Sequence, residues 1–374
     1  MREYMKVEHP AGRERLHVLV ATPLGRGGQG GMDRLMDAVM DCLAQRNDPA
    51  LDVRIAPTRG QRGLFHALPV FTSFLLSLVR RRLLGKLDLV HLNLASKGST
   101  VRKIIVAELA RALGTATTLH LHGASYRQYW TSAGPLLDWA ITRMFRKADR
   151  IIVLGNVWKD FVIGRIPEAA DRIVVLPNAV PRPALAHQGG GDTVQILFLG
   201  RLGQRKGVPQ LVEALHRIHD LPGWRAVLAG DGEVEATRRE IARLGLAQRV
   251  QLPGWAGPGD VAKLLAASDI LTLPSFDENL PMSVIEGMAA GLAVVATPVG
   301  AVEDIVTRGE TGLLVQPGNV DQLADALRQL ILDGPLRSRL GKAAEAMHRR
   351  RLDIVPYVAK LTAIWQEAVT KRRR

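Results

Sequence analysis

SFDENLPMSVIEGMAAGLAVVATPVG, Ser275 to Gly300, is the stretch from which the fold can be read. Ser275 to Leu280 form a loop. Pro281 suits the first turn of a helix, where its missing N–H would be unpaired anyway. The helix continues through Val284, Ile285 and Met288, and Gly291 is placed to end it. Ala293 to Thr297 then reads as a buried strand. Two carboxylates stand out, Glu278 in the loop and Glu286 two turns into the helix. Acids so separated do not serve one small group, but they can grip two parts of one long ligand lying over the helix N-terminus. Free backbone N–H groups there favour an anion such as a phosphate. The pattern predicts a ligand with hydroxyls at both ends and negative charge between, which describes a nucleotide sugar. An ordinary loop and helix with two solvated acids would show the same spacing.

Outward from this stretch, short apolar runs alternate with helical segments, the mark of parallel α/β architecture. Val261 to Ala266 is a helix, and strand Ile270 to Leu273 delivers the opening motif. Strand Val194 to Leu199 runs into Gly200-Arg-Leu-Gly-Gln-Arg-Lys-Gly207. Arg201 and Lys206 there flank a short loop at a strand C-terminus, and two such cations beside a helix start suit a diphosphate. Strand Ala226 to Ala229 leads to the tight turn Gly230-Asp231-Gly232-Glu233, and Arg249 to Leu252 leads to Pro253-Gly254. Pro181 to Asp192, rich in Pro, Gly and Ala, is the clearest linker.

The first half begins with strand His17 to Thr22, then a run from Gly25 to Gly31 with five glycines, then a helix through Leu35, Val39 and Leu43. The run matches G-x-G-x-x-G, so a dinucleotide-binding reading must be faced. The second strand, Val53 to Ala56, ends without the acid that would hold the ribose, and no Lys-Ser/Thr follows for a P-loop. Strand Thr117 to Leu121 ends at His120-Leu-His122-Gly123, where strand ends line the crevice of an open sheet. His122 is the better candidate, with His120 expected to point elsewhere by strand alternation. Ile173 to Leu176 is the last strand of this half, followed by Pro177-Asn178-Ala179.

These motifs resemble those of the family-4 glycosyltransferases, retaining enzymes of the GT-B fold. Glu278 and Glu286 stand in that family's E-x7-E arrangement, and ENLPMSVIEGMAAGLAVVAT follows its signature almost residue for residue. The resemblance extends over most of the chain: DLVHLN, His122-Gly123, Gly200 to Gly207 and TGLLV all fit. It implies an α/β fold of two Rossmann-like domains facing across a cleft. It also implies that Glu278 contacts the donor sugar, Glu286 the ribose, and the amides around Leu280, Pro281 and Met282 the sugar and diphosphate. His122 would reach the donor sugar, Arg201 and Lys206 the diphosphate, and the loop at Gly254 the nucleobase. Asp231 and the hinge Asn178 are further donor-side candidates, with Ala179 where the family carries glycine. The family's Gly-Gly pair falls on Gly27-Gly28 or Gly30-Gly31. The mechanism implied is front-face attack, with a donor phosphate oxygen taking the acceptor proton. No D-x-D motif is present, so cations can replace a metal.

The expected organisation is a flexible N-terminal extension (1–14), an acceptor-binding domain (15–180), a linker (181–192), a nucleotide-sugar-binding domain (193–352), and a crossover helix with basic tail (353–374). At 374 residues and 47% hydrophobic, the chain can bury two cores. Its 5% aromatic content argues against a base-stacking nucleic-acid binder. The single cysteine, Cys42, excludes a disulfide framework and fits a reducing, cytoplasmic setting. Leu16 to Ala21 is too short for a convincing signal peptide, and no run is long enough to span a bilayer.

Charge is uneven. Residues 1–176 hold 26 Lys+Arg against 15 Asp+Glu, a net +11, whereas residues 177–374 hold 24 against 21, a net +3. A basic half points to a polyanionic partner. The helix Phe71, Phe74, Leu75, Leu78, Val79, running into Arg80, Arg81, Arg82 and Lys86, is expected to rest on an anionic inner membrane surface. The expected partners are then a UDP- or GDP-sugar donor and a saccharide or lipid-linked acceptor of bacterial surface polysaccharide synthesis, with no other cofactor, no metal and no nucleic acid. Two other readings stay open: a nicotinamide-dependent oxidoreductase using the Gly25–Gly30 loop, and a non-catalytic basic binding protein.

Overall fold

The computed structural model of the chain describes residues 15–28, 30–61 and 66–373, so the N-terminal extension lies outside the described residues. Among the described residues there are twelve strands, in chain order β1 (Leu16–Thr22), β2 (Leu51–Pro57), β3 (Leu89–Leu94), β4 (Ala116–Leu121), β5 (Arg150–Val153), β6 (Ile173–Val175), β7 (Val194–Leu199), β8 (Trp224–Ala229), β9 (Val250–Gly254), β10 (Ile270–Leu273), β11 (Ala293–Ala296) and β12 (Leu313–Leu314). The α-helices are α1 (Gly31–Arg46), α2 (Ala67–Leu83), α3 (Gly98–Ala112), α4 (Tyr126–Thr131), α5 (Pro135–Lys147), α6 (Asn156–Arg165), α7 (Val208–Arg217), α8 (Val234–Arg243), α9 (Pro258–Ala266), α10 (Met282–Ala289), α11 (Val320–Leu332), α12 (Gly334–Met347) and α13 (Ile354–Arg373).

The strands form two six-stranded sheets, ordered β2-β1-β3-β4-β5-β6 and β12-β11-β10-β7-β8-β9, with parallel pairing throughout. Helices cover both faces, so central strands are buried on both sides and read as continuous apolar runs. All six residues of β3 are buried, as are all six of β4. In each sheet the strand order reverses once, between β1 and β3 and between β7 and β10. Ligands bind at the carboxyl ends of strands flanking such a reversal. The Gly25–Gly31 run follows β1, the Arg201–Lys206 turn follows β7, and the Ser275–Leu280 loop follows β10.

The chain passes between the domains twice, near Val180 and near Asp353, and the passages clamp each other. Val180 N–H donates to Leu352 O and Ile354 N–H donates to Val180 O, both at 3.1 Å. Arg182 Nε pairs with Asp353 at 2.6 Å. Ala179, buried against this clamp, is not among the positive-φ residues, so glycine is not required at that hinge position. Helix α13 then packs against α1, β3 and β4 of the first domain. Its last turn is matched to first-domain acids: Lys371 to Asp171 at 3.1 Å, Arg372 to Asp149 at 3.8 Å and Arg373 to Asp88 at 3.0 Å.

The expectation for α2 is corrected. Phe71, Phe74 and Leu78 are buried in the first-domain core, so that face packs on the sheet and cannot meet a membrane. A helical period marks an apolar stripe but does not say what covers it. The opposite face exposes Leu76 and Leu83, with Leu84 just beyond the helix end.

Candidate functional site

The loop Ser275–Leu280 is held by backbone contacts too close for a side chain. Gly207, at φ +70°, would place a Cβ 2.0 Å from Pro274 O, and Gly300, at φ +60°, one 2.2 Å from Glu278 O. Both conformations favour glycine, and both approaches exclude a methyl group. The first fixes the Gln204–Lys206 turn against the loop, and the second fixes the chain leaving β11 against it. Lys206 Nζ consequently lies 2.5 Å from Glu278 Oε1, with both side chains largely buried. Ser275 Oγ donates to the same oxygen at 3.0 Å, and Arg205 Nη1 lies 3.5 Å away. The structure thus gives Lys206 a protein carboxylate as its immediate partner, where the motif suggested a free cation. Arg201 is exposed and approaches Asp231 Oδ2 at 3.4 Å. Helix α10 starts at Met282, with Pro281 as its N-cap in an extended conformation.

These groups face a cleft of about 620 Å³ between the C-terminal edges of the two sheets. Of the sequence candidates, His122, Asn178, Arg201, Lys206, Asp231, Glu278, Leu280, Pro281, Met282 and Glu286 line it. Gly27, Gly28 and Gly254 do not; Gly30 and Gly31 do. The Gly27–Gly28 turn folds back onto α1, where Gly27 N–H donates to Asp37 Oδ2 at 2.9 Å and a Cβ on Gly28 would strike Asp33. Leu24 N–H donates to Asp33 at 3.3 Å. Protein carboxylates therefore hold amides that a dinucleotide pyrophosphate would need, which removes the support for the oxidoreductase reading.

Several contacts cross the cleft and were not legible in the sequence. Arg34, in the first turn of α1, pairs with Glu286 on α10. Burial pushes the Glu286 carboxyl up, and Arg34 opposes that rise. Asn279 Nδ2 donates to Leu121 O at 3.1 Å, Asn178 Nδ2 to Leu280 O at 2.9 Å, and Ser125 Oγ to Asp277 at 2.7 Å. Arg34 follows the Gly30–Gly31 pair closely in the chain, and that proximity was its one available signal. Arg205, between Gly200 and Gly207, has no signal of its own in the sequence; it donates to Asp277 O at 2.8 Å.

His122 lies one residue beyond β4, with its Nε2 2.8 Å from Asn93 Oδ1. Burial holds its pKa down at about 3, aided by nearby His91, so the ring is neutral. The expected divergence of His120 is corrected: residues two apart on a strand share a face, and the two rings pack with centroids 3.9 Å apart. His120 lies beneath, fully buried.

The arrangement can hold an extended anionic ligand, with helix N–H groups and cations at its middle and carboxylates toward its ends. Comparison with known proteins agrees with this geometry. The family described as "Glycosyl transferase 4-like domain" matches residues 11–179, and that described as "Glycosyl transferases group 1" matches residues 187–347. The lipopolysaccharide core biosynthesis glycosyltransferase LpsE of Rhizobium meliloti (strain 1021) is 35% identical over 152 residues, 40% of this chain and 43% of that protein. The chain therefore spans less than half the length of this relative. Among solved structures, Anabaena HepE in complex with UDP superposes with a TM-score of 0.73 at 19% identity, covering 93% of this chain and 99% of that one. Sucrose-phosphate synthase from Thermosynechococcus elongatus gives 0.75 at 18% identity, covering 96% and 100%. At these identities the likeness to the solved structures is one of fold. With one family match on each sheet and the cleft between them, the chain belongs to the group 1, family-4-like glycosyltransferases and has the GT-B fold.

Proposed function

We propose that the protein moves a sugar from a nucleotide-sugar donor to a saccharide or lipid-linked acceptor, with retention and without a metal. The observation that carries this reading is the gathering of Glu278, Glu286, Arg201, Lys206 and the α10 N-terminus in one cleft. Glu286 takes the ribose, displacing Arg34 or sharing with it. The diphosphate lies over the first N–H groups of α10, beside Arg201, Arg205 and Lys206. As the glycosidic bond breaks, charge grows on the leaving diphosphate. Preorganised donors of this kind are each worth on the order of 3–4 kcal/mol. Lys206 is poised to exchange part of its contact with Glu278 for that developing charge, so the two residues act as a unit. His122, neutral and fixed, contacts the donor sugar. The attacking acceptor hydroxyl loses its proton to a donor phosphate oxygen, in keeping with the family resemblance.

HepE has been solved with UDP and with UDP-glucose, which supports a nucleotide-sugar donor here. The naming of LpsE for lipopolysaccharide core synthesis supports an acceptor in bacterial surface polysaccharide synthesis. No described helix is long and apolar enough to cross a membrane. We assign contact with an anionic inner membrane surface to the exposed side of α2, where Leu76, Leu83 and Leu84 stand with the exposed cations Arg80 and Lys86.

A thermal-shift panel of UDP-, GDP- and ADP-sugars tests the donor. A true donor at about 100 times its dissociation constant adds roughly 2.7 kcal/mol of stability. Glu286→Ala should abolish most of that shift. A flat panel, or a shift unchanged in Glu286→Ala, refutes the reading.

A further inference from the structure

His122 ends a line of buried side chains that begins on α13. Trp365, fully buried, directs its indole N–H at His91 Nδ1 on β3, 3.1 Å away. An indole N–H only donates, so His91 Nδ1 accepts. Burial holds His91 near a pKa of about 3, so the ring carries a single proton, which must be on Nε2. That nitrogen lies 3.3 Å from His120 Nδ1 on β4. His120, also driven well below its ordinary pKa by burial, accepts there and keeps its proton on Nε2. Its ring then packs on His122. Asn93, on the same face of β3 as His91, closes the line by bonding His122. Among the described residues, none of the hydrogen-bond or ring partners along this line is charged.

Packing alone does not explain these residues. Leu89, Leu92, Leu94, Leu119 and Leu121 on the same two strands are buried without polar atoms, and a polar line in such a core is costly unless its bonds are made. What the line does provide is direction: one obligate donor at one end sets the proton position on His91 and through it on His120, whose Nε2–H has no hydrogen-bond partner among the described residues, while Asn93 Oδ1 sets that of His122.

We propose that Trp365 and His91 are positioning residues for His122. They fix His120 in one tautomer and one ring orientation, and the packed His120 ring in turn holds the His122 ring in place at the cleft. This rests on the proposed contact of His122 with the donor sugar. The helix that joins the second domain back to the first thereby also orients a side chain in the site.

The test compares Trp365→Phe, which keeps an aromatic ring and removes the donor, with His91→Leu, which suits the surrounding core. Tyr357→Phe is the control, since Tyr357 is also buried on α13 and its hydroxyl has no hydrogen-bond partner among the described residues. Histidine ring-nitrogen NMR reads the tautomers directly. Turnover is measured with the donor selected by the sugar-nucleotide panel, and free UDP, GDP and ADP binding by calorimetry. In Trp365→Phe, the His91 and His120 protons should redistribute over both nitrogens. Turnover should fall about five- to tenfold, the worth of one hydrogen bond. His91→Leu should show the same loss. Nucleoside diphosphate affinity should stay within about twofold, because that ligand lacks the sugar. Tyr357→Phe should behave as wild type. Unchanged ring-nitrogen signals in Trp365→Phe, or wild-type turnover in both variants, would overturn the proposal. His122→Ala separates the two layers. Lost turnover there with wild-type turnover in Trp365→Phe and His91→Leu refutes the line alone, whereas wild-type turnover in His122→Ala refutes the site reading beneath it.

Discussion

Replacing Lys206 should destabilise the folded protein even with no nucleotide present. Lys206 Nζ and Glu278 Oε1 are 2.5 Å apart, and their side chains are 13% and 9% exposed. Removing one partner of a buried ion pair typically costs about 3–5 kcal/mol, mostly because the other charge stays buried without compensation. Glu278 would retain the Ser275 hydroxyl at 3.0 Å and Arg205 at 3.5 Å, but the Arg205 side chain is 51% exposed and a weak substitute. The low end, about 3 kcal/mol, is therefore expected for Lys206→Met. For a domain of 150–250 residues each kcal/mol moves the melting temperature by about 2–4 °C, so the second-domain transition should fall by about 6–12 °C. Adding Glu278→Gln removes the stranded charge and should recover most of the loss, since a neutral pair needs no counter-ion. Urea unfolding of wild type, Lys206→Met, Glu278→Gln and the double variant forms a complete cycle. A loss under about 1 kcal/mol in Lys206→Met, or a double variant no more stable than that single one, refutes the buried-pair argument.

Two further outcomes follow from the same structure. The Glu286 carboxyl is pushed above its ordinary 4.5 by burial, so it favours folding while protonated, and that stability is lost as pH rises through the folded-state value. Glu286→Gln, which cannot ionise, should therefore gain melting temperature over wild type at neutral pH, and the gain should shrink as pH falls through the raised folded-state value toward 4.5; a difference that is constant with pH contradicts this. On the membrane side, the protein should sediment with anionic vesicles but not neutral ones, with each surface cation worth about 1 kcal/mol. Leu76→Ser with Arg80→Gln and Lys86→Gln should release it. Arg82 is excluded from that set because its Nε donates to Leu113 O at 2.9 Å. Binding that ignores lipid charge, or that survives the triple change, sinks the assignment.

Much of this molecule is legible in its sequence. Strands β7 and β10 fall where their apolar runs end, because a buried parallel strand needs an unbroken hydrophobic stretch and both are closed by turn residues. The cations of Gly200 to Gly207 and the acids of Ser275 to Gly300 lie in local motifs, so their approach to one cleft follows once the strand order places β7 beside β10. Local pattern could not say which atoms these groups would meet. Lys206 is bound to Glu278, 72 positions away, and Glu286 to Arg34 in the other domain. The Phe71 stripe reads equally well as membrane-facing or core-facing until the sheet beneath it is known. His91 and Trp365 stand 274 positions apart and carry no shared motif. Periodicity and turn chemistry act over a few residues, so they determine the elements and the edges at which a ligand can bind. Partners of buried charges and imidazoles are chosen by the packing of elements distant in the chain, and that is decided only when the two sheets and the crossover helix are brought together.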